Sequence, residues 1–375
     1  MPSTANTWKK RNQIKVSNDV WWNVFEWILR AELGLKVALL SARFDAIVDT
    51  FLREKRWSLG VLKIIRRTED EAGGKIAIEC FNGAGNIIKT FPIAERPLPN
   101  GVIAFKRIHL SHVDNDVVEF LHHLQPLFIK KGINLTLNVS HWTSGLPNWA
   151  ITAPEVWPLV AENTVRLRIH DEYGLIAQSH RISPDIFGQC ANLRLIDSRD
   201  LFPEGPADDG TASSPAQALS QWLHLPRGDG WPKVLLCEEV WPFGEKVEGL
   251  KKAFVEASFP VNFIVRLILH HLEGGPFELR NERTGERLTM ELIDDAGGEE
   301  VQQGIDEEEE EEEGAFDDDE DDRMTHYIPV KHKLWLLKRC PIERPKDWDH
   351  WEEEAIGWSW DSANNVIEVD DDDLY

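Results

Sequence analysis

The sequence predicts an α/β protein: a short three-helix module at the N-terminal end, a small antiparallel meander, then an irregular strand–helix stack with a C-terminal hairpin. Three observations carry this reading. Apolar residues recur at helical spacing over 17–56. Their period shifts toward two over Ser58–Phe91. From about residue 100 to 272, strand-like runs alternate with helix-like ones.

The helical module comes first. Ser17 or Asn18 can cap a helix, and Asp19 suits its first turn. Val20, Trp21, Val24, Phe25, Ile28 and Leu29 follow at helical spacing, Leu33–Leu40 forms a second apolar segment, and Leu40, Phe44, Ile47, Val48, Phe51 and Leu52 form a third. Helices this short can hardly bury all these large side chains among themselves, so apolar surface remains for the rest of the chain or for a partner.

The meander rests on Leu59, Val61-Leu62, Ile64-Ile65, Ile76–Ile78 and Ile87-Ile88, with turn material at Gly73-Gly74 and Asn82-Gly83. Beyond it, strands are expected at Ile103–Leu110, Ile133–Val139, Val165–Ile169, Leu193–Asp197, Lys233–Leu236 and Phe263–Leu269. Helices are expected at Val117–Phe128, Ala153–Glu162, Ile186–Cys190, Pro215–Leu223 and Val247–Ala257. Strand, crossover helix and strand at a near-constant step imply parallel units. The step suggests stacked repeats of a leucine-rich-repeat-like kind, although the strict consensus is missing.

Phe277–Arg280 and Glu286–Leu292 flank Asn281–Gly285, a hairpin signal in which Gly285 can take positive φ. Structure is expected to resume with a strand at Leu334–Leu337, a helix at Lys346–Ile356 and a last strand at Val366–Val369. The expected divisions are a basic flexible leader 1–16, the helical module 17–57, the α/β body 58–293, an acidic disordered insert 294–331, a strand–helix–strand 332–369 completing the body, and an acidic tail 370–375.

The charge of −24 is unevenly spread. Residues 299–322 hold sixteen acids and no base, and Glu368 with Asp370–Asp373 adds five more, which leaves the remainder at −3. Seven consecutive glutamates repel one another and bury nothing, so the insert reads as a solvated spacer. A nearly neutral body gives no general reason to bind nucleic acid or an anionic membrane. No apolar run approaches the length of a membrane span, and no signal-peptide core follows the N-terminus. Cys80, Cys190, Cys237 and Cys340 lie far apart, which argues against a zinc knuckle or a disulfide scaffold and suggests the cytoplasm or nucleus. No phosphate loop, nucleophile elbow or metalloprotease helix is present. His122-His123 and His270-His271 each point to two different faces and make no chelate by themselves. Neither catalysis nor a cofactor or metal is expected. Tryptophan is frequent, 16 against 3 tyrosines, a composition suited to packing and to contact surfaces.

The segment Val16-Ser17-Asn18-Asp19-Val20-Trp21-Trp22-Asn23-Val24-Phe25 resembles the opening of an F-box, whose pattern is Leu-Pro-x-Asp-Val-Leu-x-Glu-Ile/Val-Phe. Asp19, Val20, Val24 and Phe25 match directly; Val16 stands in place of Leu, Ser17 in place of Pro and Trp21 in place of Leu. Further segments, among them Leu223–Gly230, Pro276–Leu279, Thr284–Thr289 and Arg339–Arg344, look like a large family of F-box-like proteins of plant-parasitic cyst nematodes. The resemblance implies a non-catalytic substrate receptor. Its helical module would bind a Skp-type adaptor, and through it a cullin, in a RING ubiquitin ligase, with Val16, Val20, Trp21, Val24, Phe25, Ile28, Leu33, Leu40 and Phe44 as the expected partner surface, some of them turned instead to the module's own core. Its body would hold a target protein that the sequence does not name. The alternative is a solenoid-like binding module whose degenerate F-box only packs on its own body.

Overall fold

The computed structural model describes residues 16–28, 32–54, 57–66, 74–82, 85–93, 102–139, 156–171, 186–198, 201–205, 207, 208, 210, 213–238, 243–269, 275–293 and 333–370. Residues 1–15 of the basic leader, the acidic insert, residues 371–375 of the tail, and His270-His271 lie outside them.

In chain order, helix α1 (Asn18–Phe25) is followed by a π-helical turn Leu33–Val37, a 3-10 turn Ala38–Leu40 and helix α2 (Ala42–Glu54). Strands β1 (Trp57–Ser58), β2 (Val61–Arg66), β3 (Gly74–Asn82), β4 (Gly85–Pro92), β5 (Val102–Ala104) and β6 (Arg107–Leu110) come next. Helix α3 (Asn115–Lys131), β7 (Ile133–Val139), α4 (Trp157–Val160), β8 (Thr164–Asp171), α5 (Ile186–Gln189) and β9 (Leu195–Ser198) follow. Then come α6 (Pro215–His224), β10 (Lys233–Glu238), α7 (Phe243–Glu256), β11 (Phe263–Leu269), β12 (Phe277–Asn281), β13 (Glu286–Leu292), β14 (Lys333–Pro341), α8 (Trp348–Ile356) and β15 (Val366–Asp370). This is a mixed α/β chain that divides into two compact units, residues 1–173 with 189–193 and 359–375, and residues 174–188 with 194–358.

In the first unit the strand order is β8-β7-β15-β6-β2-β3-β4. The pairs β7/β8, β15/β7, β15/β6 and β2/β6 are parallel. The meander β2-β3-β4 is antiparallel, and it forms one end of this sheet. The expected strand Ile103–Leu110 is broken at Phe105-Lys106, because the Lys106 N–H donates to the Gly60 carbonyl at 2.8 Å and the Phe105 N–H to Asn365 Oδ1 at 3.2 Å. A simple stack in chain order would pair β6 with β7, yet β15 lies between them. The C-terminal strand therefore sits inside the sheet, paired on both sides.

Asp114 caps α3 by accepting from the Val117 N–H at 2.9 Å, and Gly132 closes the helix with φ +73°. A Cβ at Gly132 would come within 2.4 Å of Val165 Cγ2, so both the dihedral and the close approach require glycine there. Val117, Phe120, Leu121 and Leu124 of α3 are fully buried, and Phe105 meets Phe128 edge-on at 6.0 Å.

In the second unit β9, β10 and β11 run parallel, and β11-β14-β13-β12 continues antiparallel. Leu292 and Trp335 are paired, so the acidic insert joins two adjacent strands of one hairpin; an insertion there adds little closure entropy. The β12–β13 turn closes with Gly285 at φ +69° and its N–H on the Asn281 carbonyl. A capping box of Ser214 and Gln217, with Pro215 in the first turn, starts α6. The Arg339 guanidinium lies 5.3 Å over the Phe254 ring of α7, and the Lys233 ammonium lies 4.9 Å over Trp222 of α6. Arg266 reaches the carbonyls of Ala355, Ile356 and Trp358 at the C-terminal end of α8, where a cation meets both bare acceptors and the negative end of the helix dipole.

Candidate functional site

The helical module is held by aromatic contacts between α1 and α2. Trp21 meets Phe44 edge-on at 5.0 Å, Trp22 meets Phe51 at 5.8 Å, and Phe25 meets Phe51 at 5.6 Å. Arg43 of α2 ties down the start of α1 by donating to the Val16 carbonyl at 2.7 Å. Ser17 stands at the N-cap position without a side-chain cap bond. Leu33, Val48 and Leu52 are fully buried, and Phe25, Ala38, Ile47 and Phe51 nearly so.

Successive helical residues are turned by about 100°. With Trp21, Trp22 and Phe25 facing α2, Val20 and Val24 must face away. They are 49% and 39% exposed. Trp27, just past the helix, is 90% exposed, and Leu39 and Leu40 on the 3-10 turn are also exposed. Isolated apolar side chains on a surface are unremarkable, but five from one short module are many.

The nine residues expected on the partner surface therefore separate. Val20, Val24 and Leu40 are exposed; Val16, Trp21, Ile28 and Phe44 are half-buried. Phe25 at 1% and Leu33 at 0% belong to the interior, so their expected place on the surface is corrected. Trp27 and Leu39 were not among the nine. Trp27 lies beyond the end of α1, where helical periodicity no longer says which way a side chain points.

Burial pushes the Cys190 thiol up to about 12 and the Cys237 thiol well above its ordinary value, which leaves both as thiols at neutral pH. Burial also lowers His224 and brings Lys233 down to about 7. Among the described residues, no three His, Cys, Asp or Glu side chains come together in a way that could hold a metal ion. No described helix is long and apolar enough to cross a membrane.

One cluster had no signal in the sequence. Glu368 of β15, whose charge was summed there with Asp370–Asp373, is only 9% exposed. Its carboxylate lies 2.9 Å from Arg107 and 2.6 Å from His109 Nδ1. Burial pushes this carboxyl up, but the bond to His109 and the charges of His109, Arg107 and Arg168 outweigh that and hold it below its ordinary value. The partners are more than 250 residues apart in sequence, so only the pairing of β15 with β6 reveals them.

No family model, curated protein or solved structure matches the chain.

Proposed function

We propose that the chain is an F-box-like substrate receptor. Its helical module docks a Skp-type adaptor of a cullin–RING ubiquitin ligase in the cytoplasm or nucleus, and its α/β body, an irregular leucine-rich-repeat-like stack, holds a target protein. The observation that carries the proposal is the outward set Val20, Val24, Trp27, Leu39 and Leu40 on a module whose own interior is already filled. Covering such side chains contributes about 1.5–3 kcal/mol for each one fully buried, less the cost of association. The receptor catalyses nothing itself; it raises the effective concentration of a target lysine near the loaded conjugating enzyme. The competing reading, helices that only pack on their own body, asks for the outer side of α1 to be covered, and the exposure of Val20 and Val24 weighs against it.

The test is amide hydrogen exchange of the full-length chain with and without a purified Skp-type adaptor. Exchange should slow within residues 16–54 and stay unchanged over β9–β14. Unchanged exchange in the module at saturating adaptor would refute the proposal.

A further inference from the structure

Strand β12 closes one end of the strand order in the second unit, and among the described residues no strand pairs with its outer edge. An open edge presents a row of unpaired N–H and C=O groups, a template for another strand. Proteins block such edges with proline, with a bulge or with charge. The strand Phe277-Glu278-Leu279-Arg280-Asn281 contains no proline, pairs with β13 without a register shift, and carries one charge of each sign.

The strand is held firmly from one side. Side chains alternate between the two faces of a strand, so Phe277, Leu279 and Asn281 share one face, the one toward α7. There the Lys251 ammonium lies 4.2 Å over the Phe277 ring. The Asn281 amide donates to the carbonyls of Phe254 at 2.8 Å and Ala257 at 3.2 Å. Glu278 and Arg280, on the opposite face, are exposed and pair with each other at 2.9 Å. An exposed ion pair of this kind contributes little, so exchanging its partners costs little.

The order of charges along β12 is self-complementary. A two-fold axis perpendicular to the sheet sets two copies of one strand antiparallel, edge to edge. With that axis at Leu279, Glu278 stands opposite Arg280 of the second copy, and Arg280 opposite Glu278 of the second copy. With the axis at Glu278 or at Arg280, that charge would stand opposite itself. An axis between two residues would set side chains facing α7 against outward ones. Opposite charges directly across a strand pair stabilise it, and like charges destabilise it, so one register is favoured. On the α7 side Val255, one turn beyond Lys251, is 59% exposed, and the same axis brings a second α7 to that side.

We infer that β12 pairs with β12 of a second copy of this chain, antiparallel about Leu279, to make a two-fold dimer. Any extended segment could satisfy the backbone groups of the edge. A second copy is singled out because the charges of this strand match their own reverse. Five residues and one flanking apolar side chain from each copy make a small contact, so the dimer dissociates in the range of about 1–100 μM. The inference stands on the second unit alone, and its failure would leave adaptor binding untouched.

The test is sedimentation of the full-length chain in the ultracentrifuge at about 1 to 200 μM protein and about 0.15 M salt. The mass should rise with concentration from 43.0 kDa toward twice that value. Glu278→Arg and Arg280→Glu each set like charges opposite one another twice, and each alone should stay at the monomer mass with near-ultraviolet circular dichroism unchanged. An equimolar mixture of the two variants should dimerise again, because both bases of one then stand opposite both acids of the other. Glu278→Arg combined with Arg280→Glu in one chain restores the pairing and should dimerise by itself, and it decides if a single variant misfolds. Three results would overturn the inference: a wild-type chain that stays monomeric throughout, association unchanged in the well-folded single variants, or a mixture and a double variant that both stay monomeric.

Discussion

Phe25 and Phe51 meet at 5.6 Å with their ring planes at 74°, and this contact decides which side of α1 is left exposed. With Phe25 turned in, its neighbour Val24 is turned out. Phe25→Ala should therefore destabilise the module by about 3–5 kcal/mol. Val24→Asp, at an exposed position, should change it by no more than about 0.5 kcal/mol. Hydrogen-exchange protection of α2 in the two variants measures this, and equal losses would mean that the two residues are not divided between interior and surface.

Glu286 and Arg339 form an ion pair at 2.6 Å with both side chains 1% exposed. Glu286 also accepts from the Val261 N–H, and Arg339 donates to the Phe259 carbonyl. Removing one partner strands the other charge in the interior. Glu286→Gln should cost about 3–5 kcal/mol, and Glu286→Leu combined with Arg339→Leu should cost less than the single change. Urea unfolding midpoints of the two variants give the comparison; a double variant worse than the single one would contradict it.

Lys233 makes stability depend on pH at the alkaline side. Burial, with a smaller contribution from Arg227, lowers its ammonium from 10.5 to about 7. The unfolded chain thus binds this proton more tightly than the folded one. Stability rises with pH from about 7 toward 10.5, and the full penalty is present below about 7. In Lys233→Met this rise should be missing. Thermal midpoints of both proteins between pH 7 and 10 would show it, and parallel curves would count against the assignment.

Much of the fold was legible because its signals are local. The strands at Ile133–Val139 and Phe263–Leu269 stand where the apolar runs put them, and Gly285 takes the positive φ its turn requires. The position of β15 between β6 and β7 was not legible, since pairing across more than 200 residues leaves no mark on either strand. For the same reason the partners of Glu368 were not legible, and its charge was summed with that of Asp370–Asp373. The site was legible only as a set. Five of the eight residues of α1 are apolar, so spacing alone could not tell the buried Phe25 from the exposed Val20 and Val24.

The central claim is that the outer side of α1 binds an adaptor, and calorimetric titration of a purified Skp-type adaptor into the full-length chain tests it most directly. The account predicts a one-to-one complex with a Kd near or below about 1 μM, weakened at least tenfold by Val24→Asp while α2 keeps its protection. A well-folded wild-type chain that gives no binding, or a Val24→Asp variant that binds as well as the wild type, would contradict it.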